Sequence, residues 1–161
     1  MDEPASISRS QVSGADNGSR DLLIVDDDHA QARLFELLLE KLGLPHRCHH
    51  AVSGRQALDF LHRKGAYECA PQPHLVILDV NMPGMDGYDV LRQIKSDPQL
   101  RCIPVIMFSL ESCDGVFERC YSEHANACIR KPGDYESTLR VVRELEHFWF
   151  HTVHLPLPHT P

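Results

Sequence analysis

Four apolar stretches of this chain run into side chains that could do chemistry together. Leu22-Leu23-Ile24-Val25 leads into Asp26-Asp27-Asp28, and Leu75-Val76-Ile77-Leu78 into Asp79. Val105-Ile106-Met107-Phe108 leads into Ser109, and Ala127–Arg130 into Lys131-Pro132. Singly each ending is ordinary. An aspartate run also serves as a solvated loop or an N-cap, Lys-Pro as a turn, and a serine after a strand as the start of one. Gathered in one place, they would supply at least three carboxylates, a hydroxyl and an ammonium. Crowded carboxylates repel one another, and burying them unpaired costs several kcal/mol. A hard divalent cation relieves that repulsion, and oxygen ligands with room for water suit Mg²⁺. With the metal and Lys131 offsetting the charge, an anionic phosphoryl group can approach a carboxylate nucleophile. Ser109 could then donate a hydrogen bond to a phosphoryl oxygen.

The elements between these endings decide whether they meet. The apolar runs are continuous, as in strands covered on both faces. After the aspartates, Ala32, Phe35, Leu38, Leu39 and Leu42 recur at helical steps until Gly43 and Pro45 stop them. His46–Val52 predicts a weak strand, and Ser53 an N-cap for a helix bearing Ala57, Leu58 and Leu61. Lys64–His74, with Gly65, Pro71 and Pro73, predicts a loop. Tyr88, Leu91 and Ile94 mark one face of the next helix, which closes near Asp97-Pro98; Asp114–Glu123 and Tyr135–Phe150 predict the last two helices. Five strands alternating with five helices predict an α/β fold, a doubly wound five-stranded parallel sheet. Right-handed crossovers leave few arrangements, and such sheets place their sites beyond the carboxyl ends of the strands. All four polar endings lie there.

The 161 residues suffice for one domain. Residues 1–20, rich in Ser, Gly, Asp and Asn, predict a disordered leader, 21–150 the folded domain, and 151–161 a Pro-rich tail. A formal net charge of −7 disfavours nonspecific binding to nucleic acid or an anionic membrane. No apolar run approaches the roughly 20 residues of a bilayer span. Residues 1–20 lack the apolar segment of a secretory signal, so a cytoplasmic location is expected. The six cysteines, Cys48, Cys69, Cys102, Cys113, Cys120 and Cys128, are scattered with no CxxC pair and are expected to be free thiols. His46-Arg47-Cys48-His49-His50 invites a metal reading, with Cys48, His46 and His50 on one strand face and His49 on the other. No second cluster lies nearby in sequence to complete a tetrahedral site. Polar decoration of an edge strand is the expectation.

LLIVDDDHAQARLF, LVILDVNMPGMDG, PVIMFS and ACIRKP resemble, in that order, the signatures of response-regulator receivers. These are the flavodoxin-like (βα)₅ domains of two-component signalling. The resemblance covers about residues 21–150. It implies that Asp79 accepts a phosphoryl group from a histidine kinase phosphohistidine and later loses it to water. It implies a Mg²⁺ site in which Asp27 and Asp79 are ligands, Asp26 acts through water and Asn81 gives its backbone carbonyl. Ser109 and Lys131 would contact the phosphoryl group. Such a protein is a phosphoacceptor that assists its own phosphorylation and dephosphorylation, not an enzyme. More narrowly, the long loop before the third strand, IKSDPQLRCIPVIM and LEHFWFHTVHLP resemble the small single-domain regulators that serve bacterial and cyanobacterial phytochrome histidine kinases. That implies a kinase of this kind, or a phosphotransfer protein, as partner. Output would pass through protein contacts, since no DNA-binding unit follows the last helix.

Two positions depart from the receiver pattern. Leu110 stands where a small residue is usual and would narrow access to Asp79, and Cys128 stands where an aromatic switch residue is common. Two other functions compete. A pseudo-receiver binding module of the same fold loses its acceptor or acidic pair, and both are intact here. A haloacid-dehalogenase-like phosphatase needs a second Asp two residues after its nucleophile, where this chain has Asn81, and carries the nucleophile after the first strand. A Rossmann enzyme is excluded because aspartates occupy the turn of a glycine-rich phosphate loop. Finally, Phe148-Trp149-Phe150 spans too wide an arc for one core-facing stripe, and Val141, Val142 and Leu145 can already serve the core. A homodimer through the last helix, the fourth helix and the strand between them is expected. The competing possibility is that the tail, which cannot continue the helix, folds back over Trp149.

Overall fold

The computed structural model describes residues 19–111 and 114–156; the expected leader up to residue 18 and the tail from 157 lie outside them. Strands β1 (Asp21–Val25), β2 (Arg47–Ala51), β3 (Leu75–Asp79), β4 (Val105–Ser109) and β5 (Ala127–Arg130) alternate with five helices. The helices are α1 (His29–Lys41), α2 (Gly54–Leu61), α3 (Gly87–Ser96), α4 (Asp114–Ser122) and α5 (Tyr135–Glu146). Every pairing is parallel and the order is β2-β1-β3-β4-β5. From β1 the chain crosses to one side for β2 and to the other for β3. The crevice of such a sheet opens where the winding reverses, beyond the carboxyl ends of the strands.

Alternation along the strands builds two apolar layers. Leu22, Ile24, Leu75, Ile77, Ile106 and Phe108 pack with α1 and α5. Leu23, Val25, Val76, Leu78, Val105 and Met107 pack with α2, α3 and α4. Four helices begin on a side-chain cap. Asp28, Ser53, Asp86 and Asp134 each accept backbone N–H bonds from the first turn, worth about 1 kcal/mol apiece. The third aspartate of the Asp26-Asp27-Asp28 run is therefore a cap, as one of its ordinary uses allowed.

Three local expectations are corrected. The stretch before β3 is not all loop but holds a 3₁₀ turn at Gly65–Tyr67. There the Tyr67 hydroxyl accepts from Gln56 Nε2 at 2.6 Å. The last helix is α-helical only to Glu146 and continues as a π-helical turn over His147–Thr152. The wider winding divides the three aromatics: Trp149 and Phe150 pack against the α1/α5 layer, while Phe148 stays 49% exposed. Nor are the histidines mere decoration of β2, although β2 is an edge strand. The His46 side chain is 6% exposed, with its ring 4.4 Å from that of Phe150 and Nε2 3.4 Å from Glu146 Oε1. Arg47 and His49 both reach the buried Asp21 carboxylate, tying β2 to β1.

Candidate functional site

Three strand ends close with the same local turn. The Asp28 N–H donates to Asp26 Oδ1 (2.9 Å), the Asn81 N–H to Asp79 Oδ1 (3.2 Å) and the Glu111 N–H to Ser109 Oγ (3.1 Å). A short polar side chain that bonds the N–H two residues on stops the strand and holds its own rotamer. For both aspartates this leaves Oδ2 to face across the sheet. There the Lys131 ammonium meets Asp26 Oδ2 at 2.8 Å and Asp79 Oδ2 at 3.0 Å. The lysine is delivered by β5, whose pairing continues as Lys131 N–H donates to the Ser109 carbonyl at 2.7 Å.

Asp26, Asp79, Ser109 and Lys131 are buried, while Asp27 is exposed to solvent. One oxygen from each of Asp26, Asp27 and Asp79 lies within 4.8 Å of the others. Three carboxylates against one ammonium leave two negative charges, and the donors are all carboxylate oxygens. That set suits a hard divalent cation. Burial pushes the Asp79 carboxyl above its ordinary range against the pull of Lys131, and the charge of Asp26 adds to the rise. Burial alone would lower Lys131, but its bonds to Asp26 and Asp79 outweigh this and hold the ammonium charged. An ionised Asp79 is thus costly here, and a second cation would favour it.

The structure brings Asp26, Asp27, Asp79 and Lys131 into one group. Ser109 ends the adjoining strand, with its Oγ engaged by Glu111 and its carbonyl by Lys131. Asn81 occupies the exposed turn after Asp79 and is tied to that carboxylate through its N–H. Leu110 is 64% exposed beside Ser109. Two supporting residues escaped the sequence. His50, at the carboxyl end of β2, donates from Nε2 to the Asp26 carbonyl at 2.8 Å. Gly87 opens α3 so close to β3 that a Cβ there would lie 2.2 Å from the Asp79 carbonyl oxygen. The signal for Gly87 was its place just after the Asp86 cap, in the MPGMDG stretch.

Residues 22–143 match the response regulator receiver domain family, and the chain belongs to it. The chain is 32% identical over 145 residues to response regulator Rcp1 of Synechocystis sp., which covers 90% of this chain and 99% of that protein. The solved structure of the phosphorylated cyanobacterial phytochrome response regulator RcpA matches with a TM-score of 0.83 at 33% identity, covering 87% of this chain and 100% of that one. The Mn²⁺-bound form of Rcp1 matches with a TM-score of 0.80 at 33% identity, covering 86% and 99%. Phosphoacceptor signalling is the function these relationships carry, and neither the phosphatase nor the pseudo-receiver is favoured. Receiver domains bind a divalent metal at an acidic pocket of this kind and work with histidine kinases or phosphotransfer proteins. Among the described residues, no helix is long and apolar enough to cross a membrane.

Proposed function

We propose that Asp79 is the residue phosphorylated, by a histidine kinase of the phytochrome type or a phosphotransfer protein, with Mg²⁺ held by Asp26, Asp27, Asp79 and the Asn81 carbonyl. The observation that carries this is the Lys131 ammonium set between Asp26 and Asp79, with Asp27 beside them. The Asp79 carboxylate attacks phosphorus, and the P–N bond to the donor histidine breaks as the new O–P bond forms. Lys131 is already within bonding distance of the acceptor and meets the charge that arrives on the phosphoryl oxygens. Ser109 Oγ accepts from Glu111 and keeps its own hydrogen to donate to a phosphoryl oxygen. When bound, the metal would supply electrostatic stabilisation of the transferring group. Asn81 and Glu111, two residues beyond acceptor and hydroxyl, are placed to orient the water that ends the signal.

The protein on this account is no enzyme on a separate substrate, acts in the cytoplasm and signals through contacts. One contact is with a second copy of itself. An apolar groove of about 530 Å³ along β5 and α5, lined in part by Ile129, Leu145, Phe148 and Trp149, supports the homodimer. Asp79→Asn should abolish acid- and hydroxylamine-labile phosphate incorporation from a cognate kinase. Undiminished labelling of that variant would remove Asp79 from the role.

A further inference from the structure

The Cys120 and Cys128 sulfurs stand 3.0 Å apart, with the Cys128 thiol donating to Cys120. A disulfide needs only about 1 Å less, at roughly 2.05 Å. Seven residues separate the two in sequence, so no motif announces the pair; the return from α4 into β5 closes it. Cys120 is fully buried, while Cys128 is half-buried against the same apolar layer. The surrounding groups are phenols and one guanidinium. The Cys120 thiol donates to the Tyr88 hydroxyl at 4.0 Å, the Arg119 guanidinium lies 3.8 Å over the Tyr88 ring, and the Tyr121 hydroxyl accepts the Cys128 N–H at 3.4 Å. The remaining described cysteines differ, Cys69 and Cys102 being exposed and Cys48 half-buried in the opposite layer.

We infer that Cys120 and Cys128 form a dithiol–disulfide site, oxidised by a hydroperoxide, whose bond fastens α4 to β5. Cys128, the more accessible sulfur, attacks as its thiolate on a peroxide oxygen. The O–O bond breaks, leaving a sulfenic acid on Cys128 and a hydroxide that leaves as water with the thiol proton. The Cys120 sulfur then displaces the hydroxyl, which leaves as a second water with the Cys120 proton. Two thiols lose two electrons and two protons, and hydrogen peroxide becomes two waters. Burial pushes the Cys128 thiol up to about 12, so thiolate is scarce at neutral pH and the first step is slow. The second step is intramolecular between sulfurs already in place and should outrun it. The bond would join the redox state of the thiols to the segments beside two strand-end groups. Helix α4 begins five residues after Ser109, and Cys128 precedes Lys131 by three.

The test uses the full chain, reduced with dithiothreitol and then exposed to hydrogen peroxide until oxidation is complete. After alkylation in denaturant, Cys120 and Cys128 are expected to be joined with the loss of two hydrogens, while the exposed Cys69 and Cys102 oxidise separately. Digestion without reductant should yield one peptide linking Cys120 to Cys128, absent after dithiothreitol and absent in Cys128→Ser. Amide exchange in α4 should slow in the oxidised form and recover on reduction. Full alkylation of Cys120 and Cys128 after exposure would overturn the inference, as would a linked peptide joining either to another cysteine. Because the parent chain answers both points, the result does not depend on a variant that folds.

Discussion

Lys131 carries the charge balance at the strand ends, because one ammonium contacts both buried carboxylates. An ion pair taken out of water costs desolvation of both partners, so such a lysine is weak evidence for stability. Removing it while the acids remain is another matter, since an uncompensated buried charge costs about 3 kcal/mol or more. Lys131→Met keeps the length of the side chain and deletes the ammonium. We expect urea unfolding without metal to show a loss of about 3 kcal/mol, and added Mg²⁺ to restore part of it. An unchanged midpoint would mean that Asp79 is neutral in the metal-free protein. The sequence pointed to the lysine and the acids through their shared place after apolar strands. It could not show that Asp26 takes the closer contact, because the sheet register brings β1 and β5 residues together across two intervening strands.

Two contacts between elements make testable demands. Helix α3 starts against the end of β3, where a Gly87 Cβ would lie 2.2 Å from the Asp79 carbonyl oxygen and 2.8 Å from Val80 Cα. Both neighbours are backbone and cannot swing away. Gly87→Ala should therefore push α3 off the strand and cost about 1–3 kcal/mol, seen as a lower denaturation midpoint; a midpoint equal to the parent's would show that the helix slides freely. At the other end of the sheet, β2 and the end of α5 meet at His46. Burial lowers the His46 pKa from its ordinary 6.5, against the pull of Glu146, while His151 and Arg20 also disfavour the proton. The unfolded chain takes up that proton near pH 6.5 and the folded chain resists it. Stability from this site is thus complete above about pH 6.5 and falls as pH drops through the lower folded value. His74, whose pKa burial also lowers, adds to the same loss. His46→Phe should keep the ring contact with Phe150 and give a shallower fall of Tm between about pH 7 and about pH 5. Equal slopes in variant and parent would place the acid sensitivity elsewhere.

For the molecule as a whole, the face made by β5 and α5 carries an apolar groove among the described residues. Trp149 and Phe150 are drawn inward by the π-helical turn, whereas Phe148 remains half outside at the rim of the groove. A second copy seated there would cover it. Phe148→Glu gives up the edge-on contact with the Trp149 ring at 5.3 Å but removes no buried side chain, and should leave the fold intact. Sedimentation at high micromolar concentration should show a dimer for the parent and a monomer for Phe148→Glu. A parent that sediments as a monomer, phosphorylated or not, would rule out the homodimer.

Much of this protein is legible in one dimension because its signals are local. A continuous apolar run means a strand covered on both faces, and the residue that ends it must lie at the carboxyl edge of a parallel sheet. The Asp26-Asp27-Asp28 run, Asp79, Ser109 and Lys131 were singled out as strand ends on that ground, while the separate parts of the aspartates came from the resemblance to receivers. The order of elements and the cap on α2 from Ser53 were read locally. The contacts that closed only in three dimensions are those between residues distant in the chain or on different elements. His46 reaches Glu146 across 100 residues, His50 supports Asp26, and Gly87 is defined by a carbonyl on another element. The winding of the final helix was illegible for a related reason. Apolar periodicity continues through Phe150, and only packing against β2 and the α1/α5 layer decides that the backbone widens after Glu146. Cys120 and Cys128 show the same division, since their spacing has no meaning until α4 and β5 lie side by side.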